Sequence, residues 1–148
     1  MNVKSTESEA IESIQQEHEA LREKLRHIHD VLAAHDTPGE RLSVLLRNLH
    51  DALVVHFSNE EFHGFFGEIT AHAPQLKSSA DKLCAEHLGM LHRASELGRF
   101  AAAGTGSEAW WRELRAGFQV FSKQLMHHES NENALLQQAY QEDIGTND

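Results

Sequence analysis

A chain of 148 residues is long enough for one ordinary domain with a real core, and its net charge of −10 argues against the basic patch that nucleic-acid phosphates require. No run of about 18 apolar residues occurs, which excludes a helical membrane span, and the polar opening residues lack the apolar core of a secretory signal, so the expectation is a cytoplasmic protein. A single cysteine, Cys84, offers no disulfide framework, whereas twelve histidines are unusual for this size, and their positions decide whether they are surface residues or ligands.

The first predicted helix covers about residues 6–35. Ile11, Ile14, Leu21, Leu25, Ile28 and Leu32 recur at the spacing of one helix face, and the seam position without an apolar residue is His18. Thr6 and Glu9 have the spacing of a capping box near its start. Asp36-Thr37-Pro38-Gly39 forms the first break. Thr37 with Glu40 reads as a second capping box, with Pro38 at the first helical position of a helix over about 38–72. That seam runs through Leu42, Leu45, Leu49 and Leu53 or Ala52, then continues through His56 and Glu60. The second break centres on Ala73-Pro74-Gln75 and precedes a helix over about 78–103. Its face carries Ala80, Leu83, Met90, Ala94, Leu97 and Ala101, interrupted at His87. After Ala103-Gly104-Thr105-Gly106-Ser107, with Thr105 and Glu108 at capping spacing, a last helix covers about 106–140. Its seam is Leu114, Phe118, Phe121, Leu125 and Leu135, interrupted at His128 and Glu132, and the polar tail from Gln141 is expected to fray. Four amphipathic helices joined by short loops predict an all-α fold, an antiparallel up-down-up-down four-helix bundle forming one domain over 1–148.

Every seam is thus interrupted by histidine, and two by glutamate as well. Two carboxylates and four imidazoles facing one core are costly to bury unless a cation lies between them. In His56-Phe57-Ser58-Asn59-Glu60 and His128-Glu129-Ser130-Asn131-Glu132 the ligand types sit at i and i+4, about 40° apart around the helix and one turn along it. One helix can then offer an imidazole nitrogen and a bridging carboxylate to neighbouring metals. Imidazole with carboxylate suits iron, manganese or zinc, and the lack of thiolate clusters argues against iron–sulfur. Counted from the first loop, His18 and His56 stand at the same height. Counted from the third loop, His128 is five residues further out than His87, an offset of roughly 7–8 Å.

Gln16-Glu17-His18-Glu19-Ala20-Leu21, His56 through Glu61, Glu86-His87 and His128 through Glu132 resemble the hemerythrin-like (HHE cation-binding) family over about residues 10–140. The resemblance implies a non-haem di-iron centre, two Fe ions joined by an oxo or hydroxo bridge and two carboxylates. His18, His56, His87 and His128 would be terminal ligands, with Glu60 and Glu132 as bridges and Zn or Mn as substitutes. The sequence departs from the invertebrate oxygen carriers: Leu83 stands where they have a second helix-three histidine, and Glu132 at i+4 replaces an aspartate at i+5. Four histidines and two glutamates are closer to bacterial iron–sulfur-repair and regulatory members, although the short cysteine-bearing N-terminal domain of the repair branch is missing here. The expected partner is dioxygen, nitric oxide or peroxide, with a binding or sensing role rather than an enzymatic one. Alternatives are iron storage or repair, or a metal-free interaction bundle. Ferritin-type sites use Glu-x-x-His, the reverse order at a different spacing.

Other residues have blander expectations. His127 pairs at i+4 only with Asn131, and His92 lies about 140° off the His87 seam. His27, His29, His35, His50 and His72 are expected on the surface. Cys84 is expected to be a buried inert thiol, and His63 either lines the pocket or is partly buried. Trp110, Trp111, Phe118 and Phe121 are expected in the core, and Phe57, Phe62, Phe65 and Phe66 as a dry wall around the metals.

Overall fold

The computed structural model describes the backbone of residues 3–62 and 64–146, and the side chains of Glu9 and of residues 11–62 and 64–140. Its helices are α1 (Val3–Ala34), α2 (Gly39–Phe62), α3 (Phe65–His72), α4 (Lys77–Ala103) and α5 (Glu108–Thr146), with a 3-10 turn at Pro74–Leu76 before α4. The described residues contain no strand, and the fold is an all-helical bundle.

The helix ends differ in detail from the predicted ones. His35 takes a left-handed conformation, φ 63°, that terminates α1. The backbone amides of Arg41 and Leu42 donate to the Pro38 carbonyl, the first bonds of the helical ladder, so Pro38 stands just before the first helical residue, Gly39, rather than at that position. The Thr37 hydroxyl turns to Asp36 and makes no box with Glu40. Ser107, not Thr105, caps α5: its hydroxyl accepts from the Trp110 amide at 3.2 Å. Thr6 lies inside α1 and does not begin it; its side chain is outside the described residues. The predicted second helix is broken by Gly64 at φ 116°, which ends its run and starts the separate α3. The tail from Gln141 continues α5 to Thr146.

The core is two apolar layers with a polar layer between them. The larger one joins Leu21, Leu25, Ile28 and Leu32 of α1 to α2, to Met90 and Ala94 of α4, and to Leu114, Phe118, Phe121 and Leu125 of α5. In α2 the buried position is Leu46; Leu45, assigned to the seam by spacing, is half-buried against the same cluster. The smaller layer joins Ile14, Phe65, Phe66, Ile69, Leu83 and Leu135 at the other end. Helices α1, α4 and α5 cross from one layer to the other at their histidines: Ile14 to Leu21 across His18, Leu83 to Met90 across His87, and Leu125 to Leu135 across His128 and Glu132; α2 stays in the larger layer and α3 continues into the smaller one. Trp110 closes the far end, its indole N–H donating to the Phe100 carbonyl at 3.1 Å, and a Cβ on Gly104 would overlap that ring.

Side-chain pairings fix how the helices lie. His35, just past the end of α1, and His29 and His18 within it meet Trp111, Phe118 and Glu132 of α5. Along α2 and α4, the Cβ position of Gly98 lies near Leu46, while Phe57 stacks on His87.

Candidate metal centre

The polar layer consists of the six residues that the seams lack as apolar positions. His18, His56, Glu60, His87, His128 and Glu132 come from four helices, and none is more than 2% exposed. Their inward atoms converge. His18 Nε2 is 3.7 Å from Glu60 Oε2 and 3.6 Å from Glu132 Oε1. His56 Nε2 and His87 Nε2 are 3.5 and 3.3 Å from Glu60 Oε1, and His128 Nε2 is 3.2 Å from Glu132 Oε1. The atoms form two overlapping sets, His18-His56-Glu60-Glu132 and Glu60-His87-His128-Glu132, each within 4.8 Å, and both sets contain both carboxylates. The five-residue offset between His87 and His128 does not keep them apart, since the two ring centroids are 5.0 Å from each other.

None of the inward nitrogens, and none of the four carboxylate oxygens, has a hydrogen-bond partner in the protein. Buried polar groups are almost always satisfied, and an unpaired buried carboxylate is costly. Eight orphaned donor atoms aimed at one another are what a pair of cations would satisfy, so the residues fit the group.

The outward nitrogens are, by contrast, mostly occupied. His56 Nδ1 pairs with Glu17 at 3.0 Å, His87 Nδ1 with Glu61 at 2.7 Å, and His128 Nδ1 with Glu86 at 2.7 Å. Asn59 donates to both oxygens of Glu17 and fixes it. A carboxylate on the far nitrogen selects the tautomer that leaves Nε2 free for metal and raises its basicity.

A family model, the hemerythrin HHE cation binding domain, matches residues 9–140. The chain belongs to the hemerythrin HHE cation-binding family. No curated protein and no solved structure matches it. The family implies metal binding, and the buried histidine–glutamate layer is where this HHE domain has residues able to hold it.

Electrostatics within the HHE domain follow from this layer. Burial pushes the Glu60 carboxyl up, but the imidazoles of His18, His87 and His56 close around it outweigh that and bring the group down to about 2. Burial lowers His128, against the opposing pull of Glu86. It raises the neighbouring Glu129, opposed by His18, His56 and Arg22.

Around the centre the predicted aromatic wall is present with one exception. Phe57 stacks on His87 at 3.9 Å, and Phe66 lies 5.9 Å from the same ring. Phe65 is buried beside Phe66. Phe62, at 76% exposure, points to solvent and forms no part of the wall, because the α2 face it occupies turns outward just before the Gly64 break. Trp110, Trp111, Phe118 and Phe121 are buried as expected.

Cys84 is half-buried rather than buried; its thiol donates to Glu61 at 3.4 Å, and burial with that carboxylate pushes it up to about 11. Leu83 packs in the smaller apolar layer. His92 is exposed and pairs with Glu96, and His127 is exposed. His27 and His35 are exposed, while His29, His50 and His72 are half-buried. His63 lies outside the described residues.

The residues that sequence reasoning missed are Glu17, Glu61 and Glu86. Each adjoins a site residue in the chain: Glu17 precedes His18, Glu61 follows Glu60, and Glu86 precedes His87. One residue along a helix is about 100° around it, which turns these carboxylates toward the next helix instead of the centre. Adjacency was the available signal.

Proposed function

We propose that this HHE domain holds two metal ions, iron in the cell, and that through them it binds, senses or reacts with a small ligand such as dioxygen, nitric oxide or peroxide. The carrying observation is that the two four-residue sets share both carboxylates. Glu60 and Glu132 would then be available to both metals, with His18 and His56 holding one and His87 and His128 the other. Zinc or manganese would satisfy the same donors. The antiparallel up-down-up-down order belongs to the same reading, supported by residue numbers that fall along α5 as they rise along α1. A cytoplasmic setting is part of it too.

When bound, the irons would supply a redox-active site for chemistry with a diatomic ligand or peroxide. The protein's own contribution is positional. Glu17, Glu61 and Glu86 hold three imidazoles by their outer nitrogens. Phe57 and Phe66 keep bulk water and large molecules from the His87 side. Leu83 supplies an apolar side chain next to the centre, where a further nitrogen donor would fill a coordination position.

Anaerobic titration of the iron-loaded protein with nitric oxide, followed by absorption and electron paramagnetic resonance, tests this reading. The expected result is a new ferrous–nitrosyl signal and saturable spectral change. Iron that is taken up but remains unreactive to nitric oxide, dioxygen and peroxide would leave a storage role; a chain that takes up no metal would leave an interaction bundle.

A further inference from the structure

The carboxylate pattern runs around the bundle and stops one step short of closing. Glu17 of α1 holds His56 of α2, Glu61 of α2 holds His87 of α4, and Glu86 of α4 holds His128 of α5. The remaining step would take a carboxylate of α5 to His18 of α1. At that place Glu129 follows His128 in the chain, as Glu61 follows Glu60. It is 2% exposed, far more buried than a glutamate without a task, and neither of its oxygens has a hydrogen-bond partner. On α1, His18 lies near enough to act electrostatically on Glu129, and its Nδ1 is the one outer nitrogen of the four that is unpartnered, although the ring is 1% exposed. Arg22, one turn after His18, places Nε 3.6 Å from Glu129 Oε2 and anchors the carboxylate from the solvent side. Between α1 and α5 a cavity of about 330 Å³ is lined by His18, Gln15, Arg22, Asn133 and Gln137. It is polar and large enough to admit water to this seam.

We infer that Glu129 is the positioning residue for His18: with Nε2 given to a metal, the Nδ1–H donates to a water in the α1–α5 seam, and that water donates to Glu129 while Arg22 holds the carboxylate in place. A water bridge of this kind is nearly as favourable in enthalpy as a direct hydrogen bond. It also satisfies two buried groups that are otherwise orphaned. The consequence is an asymmetric centre. Three imidazoles are held rigidly by direct carboxylates, and the fourth is held through exchangeable solvent beside the polar cavity of the α1–α5 seam. Glu19 lines the same cavity, but it is exposed and sits beside His18 on its own helix. This inference rests on the metal-centre reading.

The test uses the full chain loaded with zinc, which is diamagnetic, and labelled with 15N in its histidines. Glu129→Gln should move the His18 Nδ1–H resonance and speed its exchange with solvent, leaving the His56, His87 and His128 signals in place. It should weaken zinc binding about tenfold. Glu17→Gln should instead move His56 alone, Glu129→Asp should restore part of the wild-type behaviour, and Glu19→Gln should change nothing. Arg22→Gln, at a half-exposed position outside the core, should shift the same His18 signal by less. A His18 signal and a zinc affinity untouched by both Glu129→Gln and Arg22→Gln would overturn the inference and leave a plain ion pair. Wild-type protein that takes up no zinc would bring down the underlying reading as well, so the two failures are distinguishable.

Discussion

At the residue scale, the domain separates histidines by what their second nitrogen does. A surface histidine such as His92 pairs with an exposed carboxylate and faces water. His56, His87 and His128 are fixed from behind and orphaned in front. The same logic makes Cys84 a poor nucleophile despite its nearness to the centre. Burial and the Glu61 carboxylate raise it to about 11, so little thiolate exists near neutrality. Alkylation by iodoacetamide at pH 8 is expected to be at least about tenfold slower than for an unperturbed thiol, and Glu61→Gln should speed it. A rate equal to that of a free cysteine would contradict the assignment.

His128 carries a pH prediction for the metal-free chain. Burial lowers its folded value below the ordinary 6.5, so the unfolded chain takes up the proton first as pH falls. The stability contributed by the neutral ring is complete above that value and is lost as pH drops below it. Metal-free protein should therefore melt at a lower temperature at pH 5.5 than at pH 7.5, and His128→Asn should flatten the difference.

At the element scale, the apolar periodicity was legible and the punctuation less so. The seams of α1, α4 and α5 have the phase that spacing predicts, because burial of a helix face is a repeated signal spread over many residues. Caps are single-residue events, and several side chains at each break had suitable spacing. The structure chooses Ser107 over Thr105 and turns the Thr37 hydroxyl to Asp36. The break at Gly64 was hidden for a related reason: Phe65, Phe66 and Ile69 continue the apolar pattern beyond it, so periodicity registers no interruption. Two element-scale predictions follow from backbone geometry. Ser107→Ala should cost about 1 kcal/mol in urea unfolding, the usual worth of such a cap. Gly104→Ala should cost more, about 2–3 kcal/mol, because a Cβ there would sit 1.6 Å from the Trp110 indole nitrogen and expel a buried ring. A fully stable Gly104→Ala protein would show that Trp110 does not close the bundle as described.

At the scale of the whole molecule, the six converging residues were readable from sequence because each occupies a seam position that should be apolar. The outer carboxylates were not, since Glu17, Glu61 and Glu86 look like solvated glutamates until closure of the bundle brings each to the neighbouring helix. The arrangement of layers also predicts how stability depends on metal. The polar layer interrupts the core between two apolar clusters, so metal-free protein has a weak plane across its middle. Metal at about a thousandfold over its dissociation constant should stabilise the fold by about 4 kcal/mol, seen as a rise in melting temperature that a chelator reverses.

If two cations share Glu60 and Glu132, the metal content of the protein must depend on both carboxylates. Inductively coupled plasma mass spectrometry on desalted, iron-loaded protein should find two metals per wild-type chain and a near-complete loss of both in the Glu60→Gln/Glu132→Gln double variant. One metal or none in the wild type, or two retained in the double variant, would contradict the account.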